Sequence, residues 1–368
     1  MRPPVVKHAP VDVLIDVPYI WLNDGYGQTS PHVIRIMGEL CDELGLTWGV
    51  LHTAVVTNLP EYSESIQFIN KHFIDKNESP SSKILFRYHY PSKERCLADK
   101  LVSYTMFETD QCPSGWIDIL NTADLVLVPN PYLEQVFQKS LSVPVKTVYL
   151  PLNNEYYEDI DDNSIVSHLP TDFTFNFVGT YSTADRKNIG MMMDAFDSAF
   201  SHMDDVAFVL KSRGYKLKHG KTISCSIHTT LKNMLMFYLS SHVGVYVSRG
   251  EGYGLPQLEN AILGRPVIMA DNSAAIWSWP LIRWGKLLPC KPGLSHYTNK
   301  TIGEPGNWGF CEKRAIHDAM TEMYESWKSD PDAFKQYMID AHRNSPLHKE
   351  LSRGNIKRQL KEHLVPLL

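Results

Sequence analysis

The run Ser248-Arg249-Gly250-Glu251-Gly252-Tyr253-Gly254-Leu255-Pro256-Gln257-Leu258-Glu259-Asn260 gathers the residue types with the most chemistry in the shortest span. Three glycines within five residues let a backbone come close to a ligand and turn its N–H groups towards it. The pattern from Leu255 to Leu263 predicts an apolar helix, with Pro256 suited to its first turn. The amino end of such a helix favours an anion such as a diphosphate. Gly252, Tyr253, Gly254 and Leu255 are therefore candidate ligand-binding positions. Glu251 lies in the loop and Glu259 one turn into the helix, so both could line one pocket from different directions. A carboxylate beside an anion site would repel it. These two are expected to accept hydrogen bonds from hydroxyls, such as those of a sugar or a ribose.

A second run, Gly179 to Asn188 (GTYSTADRKN), sets Arg186 and Lys187 just ahead of an apolar helix pattern. Cations there suit a diphosphate held across a cleft from the glycine loop. Lys211 and Arg213 follow another strand candidate and add positive charge at the same end of a sheet.

The elements that must position these groups are legible as alternating short apolar runs and helix periods. Val11 to Val17 predicts a strand, followed by a turn-rich segment with Gly25 and Gly27, then a helix from Pro31 to Leu44. Strand candidates continue at Trp48 to Val56, Lys83 to Tyr88, Leu101 to Met106, Leu125 to Val128 and Val145 to Tyr149. The acidic, proline-bounded stretch from Pro151 to Pro170 predicts a solvated linker. The same grammar then restarts, with strands at Phe173 to Val178, Val206 to Leu210, Val243 to Val247 and Pro266 to Met269. Trp277, Trp279 and Trp284 fall after the last of these and are expected to pack a loop. Two such α/β units predict two Rossmann-like domains, over residues 1–160 and 161–345, with a helical tail over 346–368 that would cross back to the first. Ligands in such a pair sit at the carboxyl ends of the strands.

Length and composition agree with this organisation. The chain has 368 residues, 43 % of them hydrophobic and 21 % charged, with a formal net charge of −5. That balance disfavours a dedicated nucleic-acid binder. No run of about 18 uncharged apolar residues occurs, so no membrane span is expected. Met1 to Pro10 has no apolar core for a leader, which predicts a cytoplasmic protein. The six cysteines form no CxxC pair and are expected to be reduced thiols. No His/Cys metal spacing is evident.

The residues from Glu251 to Glu259 resemble the motif of two glutamates separated by seven residues in the retaining glycosyltransferases of family 4, which have the GT-B fold. EGYGLPQLENAILGRPVI, FVGTYSTADRKN and YTMFETDQCPSGWIDILNTADLVLVPNPY are similar to that family's motif helix, second-domain opening and fifth-strand region. The resemblance spans Val11 to Tyr324. It implies two domains facing one another across a donor cleft, with Glu251 on the donor sugar, Glu259 on the ribose and Lys187 on the diphosphate. The backbone at Gly25 and Gly27 would approach that diphosphate from the first domain. The family's usual arginine is replaced by Thr180, which leaves Arg186 or Lys211 to supply the charge. A histidine common in relatives is absent near Thr105, and Glu108 is the candidate for its place. His89 belongs to another strand and is structural or acceptor-facing.

The implied activity is transfer of a hexose from a nucleoside-diphosphate sugar, of the GDP-mannose or UDP-glucose type, to a glycan or small-molecule hydroxyl. It would proceed with retention and without a divalent metal or other cofactor. A phosphorylase or epimerase of similar architecture is not suggested by the motif. Two alternatives stay open: a degenerate carbohydrate-binding scaffold, and a DNA-base-modifying glucosyltransferase, which would need a continuous basic stripe along the cleft.

Overall fold

A computed structural model describes residues 10–17, 25–52, 63–75, 80–93, 97–152, 157, 160–180, 185–213, 222–225, 231–282, 284–297 and 302–368. The first half contains β1 (Val11–Asp16), α1 (Gly25–Glu43), β2 (Trp48–His52), β3 (Phe73–Asp75), β4 (Ser81–Tyr88), β5 (Leu97–Tyr104), β6 (Leu125–Val128), α2 (Pro131–Gln138) and β7 (Val145–Thr147). Its seven strands are parallel, in the order β3-β2-β1-β4-β5-β6-β7. The second half contains β8 (Phe173–Thr180), α3 (Ile189–Phe200), β9 (Val206–Arg213), β10 (Thr222–Cys225), β11 (Val243–Tyr246), α4 (Leu255–Ile262), β12 (Val267–Ala270), α5 (Ala274–Ile282) and β13 (Gly285–Leu288). These six strands are also parallel, ordered β10-β9-β8-β11-β12-β13. Each sheet reverses strand order once, between β1 and β4 in the first and between β8 and β11 in the second. A crevice opens at the carboxyl ends of such a pair, because the two following loops leave in opposite directions.

The second sheet shows how the sequence places its site. Phe173, Phe175 and Phe177 alternate along β8, so their rings share one face. Phe175 meets Phe196 and Phe200 of α3 at ring distances of 6.2 and 5.7 Å. Asn176 points the other way, towards α4. There its amide donates to Asn260 Oδ1 (2.8 Å) and accepts from the Tyr246 hydroxyl (2.9 Å), while Asn260 Nδ2 donates to that same hydroxyl (2.7 Å). Three buried polar groups thus satisfy one another and key α4 to β8 and β11. The position of α4 fixes the glycine loop in front of it.

Several local expectations are corrected. The first helix begins at Gly25 and runs through Pro31, so Gly25 and Gly27 lie in its first turn. Tyr26 is buried there, 5.0 Å from the Tyr88 ring, and this packing overrides the break expected at proline. Thr29 and Ser30 hydroxyls donate to the carbonyls of Gly25 and Tyr26, each at 2.6 Å. Trp277 and Trp279 stand on α5, not in a loop. The stretch expected to be a solvated linker contains a helix, Asp162–Ser167, capped by Asp161 and burying Ile165. Cys290 and Cys311, expected to be reduced, form a disulfide, while Cys41 and Cys112 are buried and free. The disulfide joins β14 (Cys290–Leu294) to β15 (Asn307–Cys311), an antiparallel pair in which the two cysteines are directly opposite. Near the chain end, α6 (Arg353–Leu364) packs on α1 through the Arg353–Glu39 and Lys357–Glu43 ion pairs.

Arg265 is 1 % exposed and donates to backbone carbonyls. It donates to Ile165 (2.5 Å), Leu263 (2.6 Å), Leu239 (2.8 Å), Tyr238 and Ser241 (both 3.2 Å). Burial pulls its pKa down to about 9, so the charge persists at neutral pH through these five acceptors. Arg265→Met fills the volume but strands the carbonyls. Denaturant unfolding followed by circular dichroism should show a loss of about 3 kcal/mol, whereas a change under about 0.5 kcal/mol would make this network dispensable.

Candidate functional site

The two loops at the switch point of the second sheet are those after β8 and β11, and they are laced together. Arg249 N donates to the Arg186 carbonyl at 2.8 Å. Asn188, in the left-handed region with φ 57°, donates from Nδ2 to Val247 O at 3.2 Å. Arg249 returns to Asn188 Oδ1 (3.3 Å) and pairs with Asp185 (3.1 Å), while its guanidinium lies 5.0 Å from the Phe310 ring centre. Gly254 takes φ 85° at the start of α4, a conformation that disfavours side chains. These contacts aim Arg186, Lys187 and Glu251 at a common point.

There Lys187 Nζ lies 2.5 Å from Glu251 Oε1, and Arg186 Nη1 lies 3.3 Å from Glu251 Oε2. The same guanidinium donates to Gly250 O at 2.6 Å and reaches Glu108 Oε1 of the first half at 3.4 Å. The Tyr297 hydroxyl donates to the other Glu108 oxygen at 2.7 Å. All four charged side chains are about one-fifth exposed or less. Burial raises the Glu251 carboxyl, but Lys187 and Arg186 outweigh it and hold the pKa down at about 2. Burial lowers the Lys187 ammonium, helped by its neighbour Arg186 and opposed by Glu251. Arg186 is held more firmly protonated than usual, because Glu108 and Glu251 together overcome the cost of burying it.

The first half closes on the glycine loop. Asn130 caps α2 by accepting from Leu133 N (2.9 Å) and uses its Nδ2 to donate to Gly252 O (2.7 Å). Tyr253 donates to Leu150 O at 2.8 Å, and its ring stacks on Trp277, which stacks on Tyr149 in turn. A Cβ placed on Gly25 would lie 3.9 Å from Leu255 Cδ1, so the first turn of α1 faces the start of α4. Gly27 is buried. A Cβ on Gly250 would stand 1.9 Å from the Glu108 carbonyl, which leaves room for glycine alone.

Of the residues singled out from sequence, Arg186, Lys187, Glu251 and Glu108 are brought together. Glu259 has different neighbours: it accepts from the Tyr238 hydroxyl at 2.6 Å, and burial raises its carboxyl against the pull of Tyr238, Tyr157 and Lys211. Lys211 therefore stands on the Glu259 side, and Arg186 is the second cation beside Lys187. Sequence reasoning missed Ser273, whose hydroxyl accepts from Glu251 N at 2.8 Å, and Tyr297. It also missed Asn130, although an asparagine before Pro131 is a helix-cap signal. Among the described residues no group of three or more His, Cys, Asp or Glu is assembled that could hold a metal ion. Among them, too, no helix is long and apolar enough to cross a membrane.

No protein-family model matches the sequence, and no curated protein matches it. Solved structures do. Anabaena HepE, in complex with UDP and glucose, superposes with a TM-score of 0.61 at 11 % identity, over 96 % of this chain and 100 % of that one. WaaG, a glycosyltransferase involved in lipopolysaccharide biosynthesis, gives 0.61 at 12 % identity, over 94 % and 99 %. The pneumococcal O-GlcNAc transferase GtfA, in complex with UDP and GlcNAc, gives 0.60 at 10 %, over 97 % and 99 %. The fold is GT-B. In this GT-B chain the charged cluster lies where its two halves meet.

Two predictions follow from the cluster. Gly250→Ala forces a methyl against backbone and should cost about 2 kcal/mol in denaturant unfolding; an unchanged midpoint would mean that the halves part easily. A carboxyl whose folded pKa is depressed stabilises the fold above its unfolded value and loses that contribution as pH falls through the folded one. For Glu251 the window runs from near 4.5 down to about 2. The wild type should exceed Glu251→Gln in melting temperature at pH 5, and the gap should close towards pH 2.

Proposed function

We propose that the chain is a retaining glycosyltransferase that moves a hexose from a nucleoside-diphosphate sugar to a hydroxyl acceptor, without a divalent ion. The observation that carries this reading is the Lys187–Glu251–Arg186 cluster at the second switch point of a GT-B fold. Two cations sharing one carboxylate form a ready exchange site: an incoming diphosphate attracts Lys187 and Arg186, and frees Glu251 to accept hydrogen bonds from sugar hydroxyls. The amino end of α4 adds its partial positive charge. Glu259, held by Tyr238, is assigned to the ribose hydroxyls with Lys211 nearby, and Gly25, Gly27, Gly252, Gly254 and Leu255 to the backbone that encloses the donor.

In the transfer step the bond from the anomeric carbon to the β-phosphate oxygen breaks, and its electron pair stays on that oxygen. Arg186 and Lys187 stabilise the charge that develops there. The acceptor oxygen bonds to the anomeric carbon from the same face, and its proton passes to the departing phosphate oxygen. Glu108, bound to Arg186, stands on the first-half side of the cluster.

UDP is the first base to test, since HepE and GtfA were each solved with it; GDP-mannose is the contrasting arm. Calorimetry with UDP-glucose, UDP-N-acetylglucosamine and GDP-mannose, with and without EDTA, should give one selective donor whose binding resists chelation. Lys187→Ala should weaken that donor about tenfold or more, and Glu251→Ala should slow release of nucleoside diphosphate about a hundredfold. The anomeric configuration of the product, read by NMR, tests retention. A folded protein that binds none of these donors would instead be a carbohydrate-binding scaffold. That second reading draws on the observation that both cations are paired with carboxylates of this chain.

A further inference from the structure

The donor reading leaves the pair Cys290–Cys311 unused, yet the pair stands at the base of an element that joins the halves. β14 and β15 make a two-stranded sheet of their own, outside the ladders of both large sheets. Their register runs through five pairs, from Cys290 opposite Cys311 to Leu294 opposite Asn307. So short a ribbon is marginal by itself. The disulfide closes it at the end nearer β13, and the other end continues into residues that reach the first half.

What that far end holds is specific. Asp110 N donates to Asn307 O at 3.3 Å, and Asn307 N donates back to Asp110 Oδ1 at 2.7 Å. Ser114 N donates to Glu304 O (3.1 Å), and Glu304 N donates to Ser114 Oγ (2.8 Å). The Tyr297 hydroxyl donates to Glu108 at 2.7 Å. Midway along the ribbon, Gly309 N donates to Arg249 O at 2.8 Å, and the Phe310 ring meets the Arg249 guanidinium.

The disulfide end reaches the same glycine loop through Asn272. Its Nδ2 carries two hydrogens; it donates to Ser248 O at 3.0 Å and lies 3.9 Å from Cys290 Sγ. Asn272 Oδ1 accepts from the Ser273 hydroxyl (2.7 Å), which accepts in turn from Glu251 N (2.8 Å). A Cβ on Gly309 would stand 2.6 Å from Asn272 Nδ2, so the amide lies directly on β15. A shift of the ribbon base therefore moves Asn272, and with it the backbone that carries Glu251.

Access to the two sulfurs is uneven. Cys311 is 5 % exposed, whereas Cys290 is only partly buried. Lys291 and Glu312, each next to one of them, are highly exposed and pair at 2.9 Å, so this end of the ribbon faces solvent. Cys41 and Cys112 are buried, and burial pushes both thiols up to about 12. Such thiols are poor nucleophiles at neutral pH.

We propose that Cys290–Cys311 is a thiol–disulfide exchange site, through which a dithiol reductant loosens the hold of the β14–β15 segment on Glu108 and Glu251. A thiolate of the reductant attacks Cys290 Sγ. The bond between the cysteines breaks, and its electron pair leaves on Cys311 Sγ, which takes a proton. The reductant's second thiolate then attacks the reductant's own sulfur in the mixed disulfide and releases Cys290, which takes a proton too. Two electrons and two protons pass to the protein, and the reductant ends as a disulfide. The consequence for donor binding rests on the transferase reading above; the exchange and the loosening do not.

Hydrogen–deuterium exchange, read by mass spectrometry, compares oxidised protein, protein reduced with dithiothreitol, and Cys290→Ser/Cys311→Ser without reductant. Alkylation of both cysteines verifies the reduction. Exchange in the peptides carrying Asp110, Ser114 and Asn307 should quicken at least tenfold in the reduced protein and in the double variant. Gly244 and Val267, whose amides bond within the second half, should keep their protection. The double variant should not respond to dithiothreitol. Calorimetry should show UDP bound at least fivefold more weakly by the reduced protein.

Unchanged exchange after verified reduction overturns the proposal. So does a pair that resists dithiothreitol in the folded protein, or a pair that stays free after treatment with oxidised glutathione. Protection lost throughout the chain also overturns it, since the bond would then be structural only. Should the double variant fail to fold, the reduced wild type decides alone. UDP bound equally by both states overturns the switch. UDP bound by neither sinks the transferase reading, and hydrogen exchange then decides the exchange site by itself.

Discussion

One guanidinium spans the two halves of this molecule, and much else is arranged around its cost. Arg186 lies in the loop after β8, gives one nitrogen to Gly250 O and Glu251, and gives the other to Glu108 of the first half. A cation with only about one-fifth of its side chain exposed is unfavourable unless carboxylates and carbonyls surround it. The chain supplies both, and their positions are not independent. Glu251 is held from behind by Ser273 through its backbone N–H. Glu108 is held by Tyr297, and Gly250 is a glycine because the Glu108 carbonyl leaves no room for a Cβ. A change at any of these positions alters how Arg186 is paid for, and so alters how the halves meet.

The neutrality of the cluster constrains its chemistry. Two cations face two carboxylates, so a diphosphate cannot simply be added; it must displace carboxylates from Arg186 and Lys187. Displaced carboxylates need new partners at once, because each is largely buried. Sugar hydroxyls would be such partners for Glu251. On the proposed function, binding of phosphate and binding of sugar would be coupled through one exchange.

What could be read from the sequence divides along the range of the interactions involved. The glycine loop, the strand before it and the helix after it are set by neighbours within a few residues, and β11, α4 and β12 lie where the apolar runs put them. Arg186, Lys187 and Glu251 can each be picked out as site residues, but not their pairing: the expectation sets the cations across a cleft from the glycine loop, whereas both loops leave adjacent strands of one sheet. Where long-range packing decides, local signals mislead. Pro31 reads as a helix start, yet α1 begins at Gly25, since burying Tyr26 against Tyr88 outweighs the break. The acidic stretch after Pro151 reads as linker, yet Asp161 caps a short helix whose Ile165 is buried. Cys290 and Cys311 stand 21 residues apart, and only the register of β14 on β15 sets them opposite. Tyr297 carries no local signal at all, because its partner is 189 positions away.

The segment between β14 and β15, together with the first residue of β15, makes this long-range control specific. Besides Tyr297 it brings Pro305 O to the Thr109 hydroxyl, Glu304 O to Gln111 Nε2 at 3.0 Å, and Asn307 to both oxygens of Asp110 at 2.7 and 3.0 Å. All four first-half residues, Glu108 to Gln111, are consecutive. The segment therefore grips the stretch that carries Glu108 along its length, leaving that carboxylate little freedom to turn. Arg186 gains a partner whose position is fixed by a connection independent of its own loop. A rearrangement of the charged cluster must then strain this segment or leave Glu108 in place. Since Tyr297 and the bonds to Thr109, Gln111 and Asp110 all hold Glu108 where it is, the exchange proposed above falls to Glu251, with Glu108 as the fixed partner of Arg186.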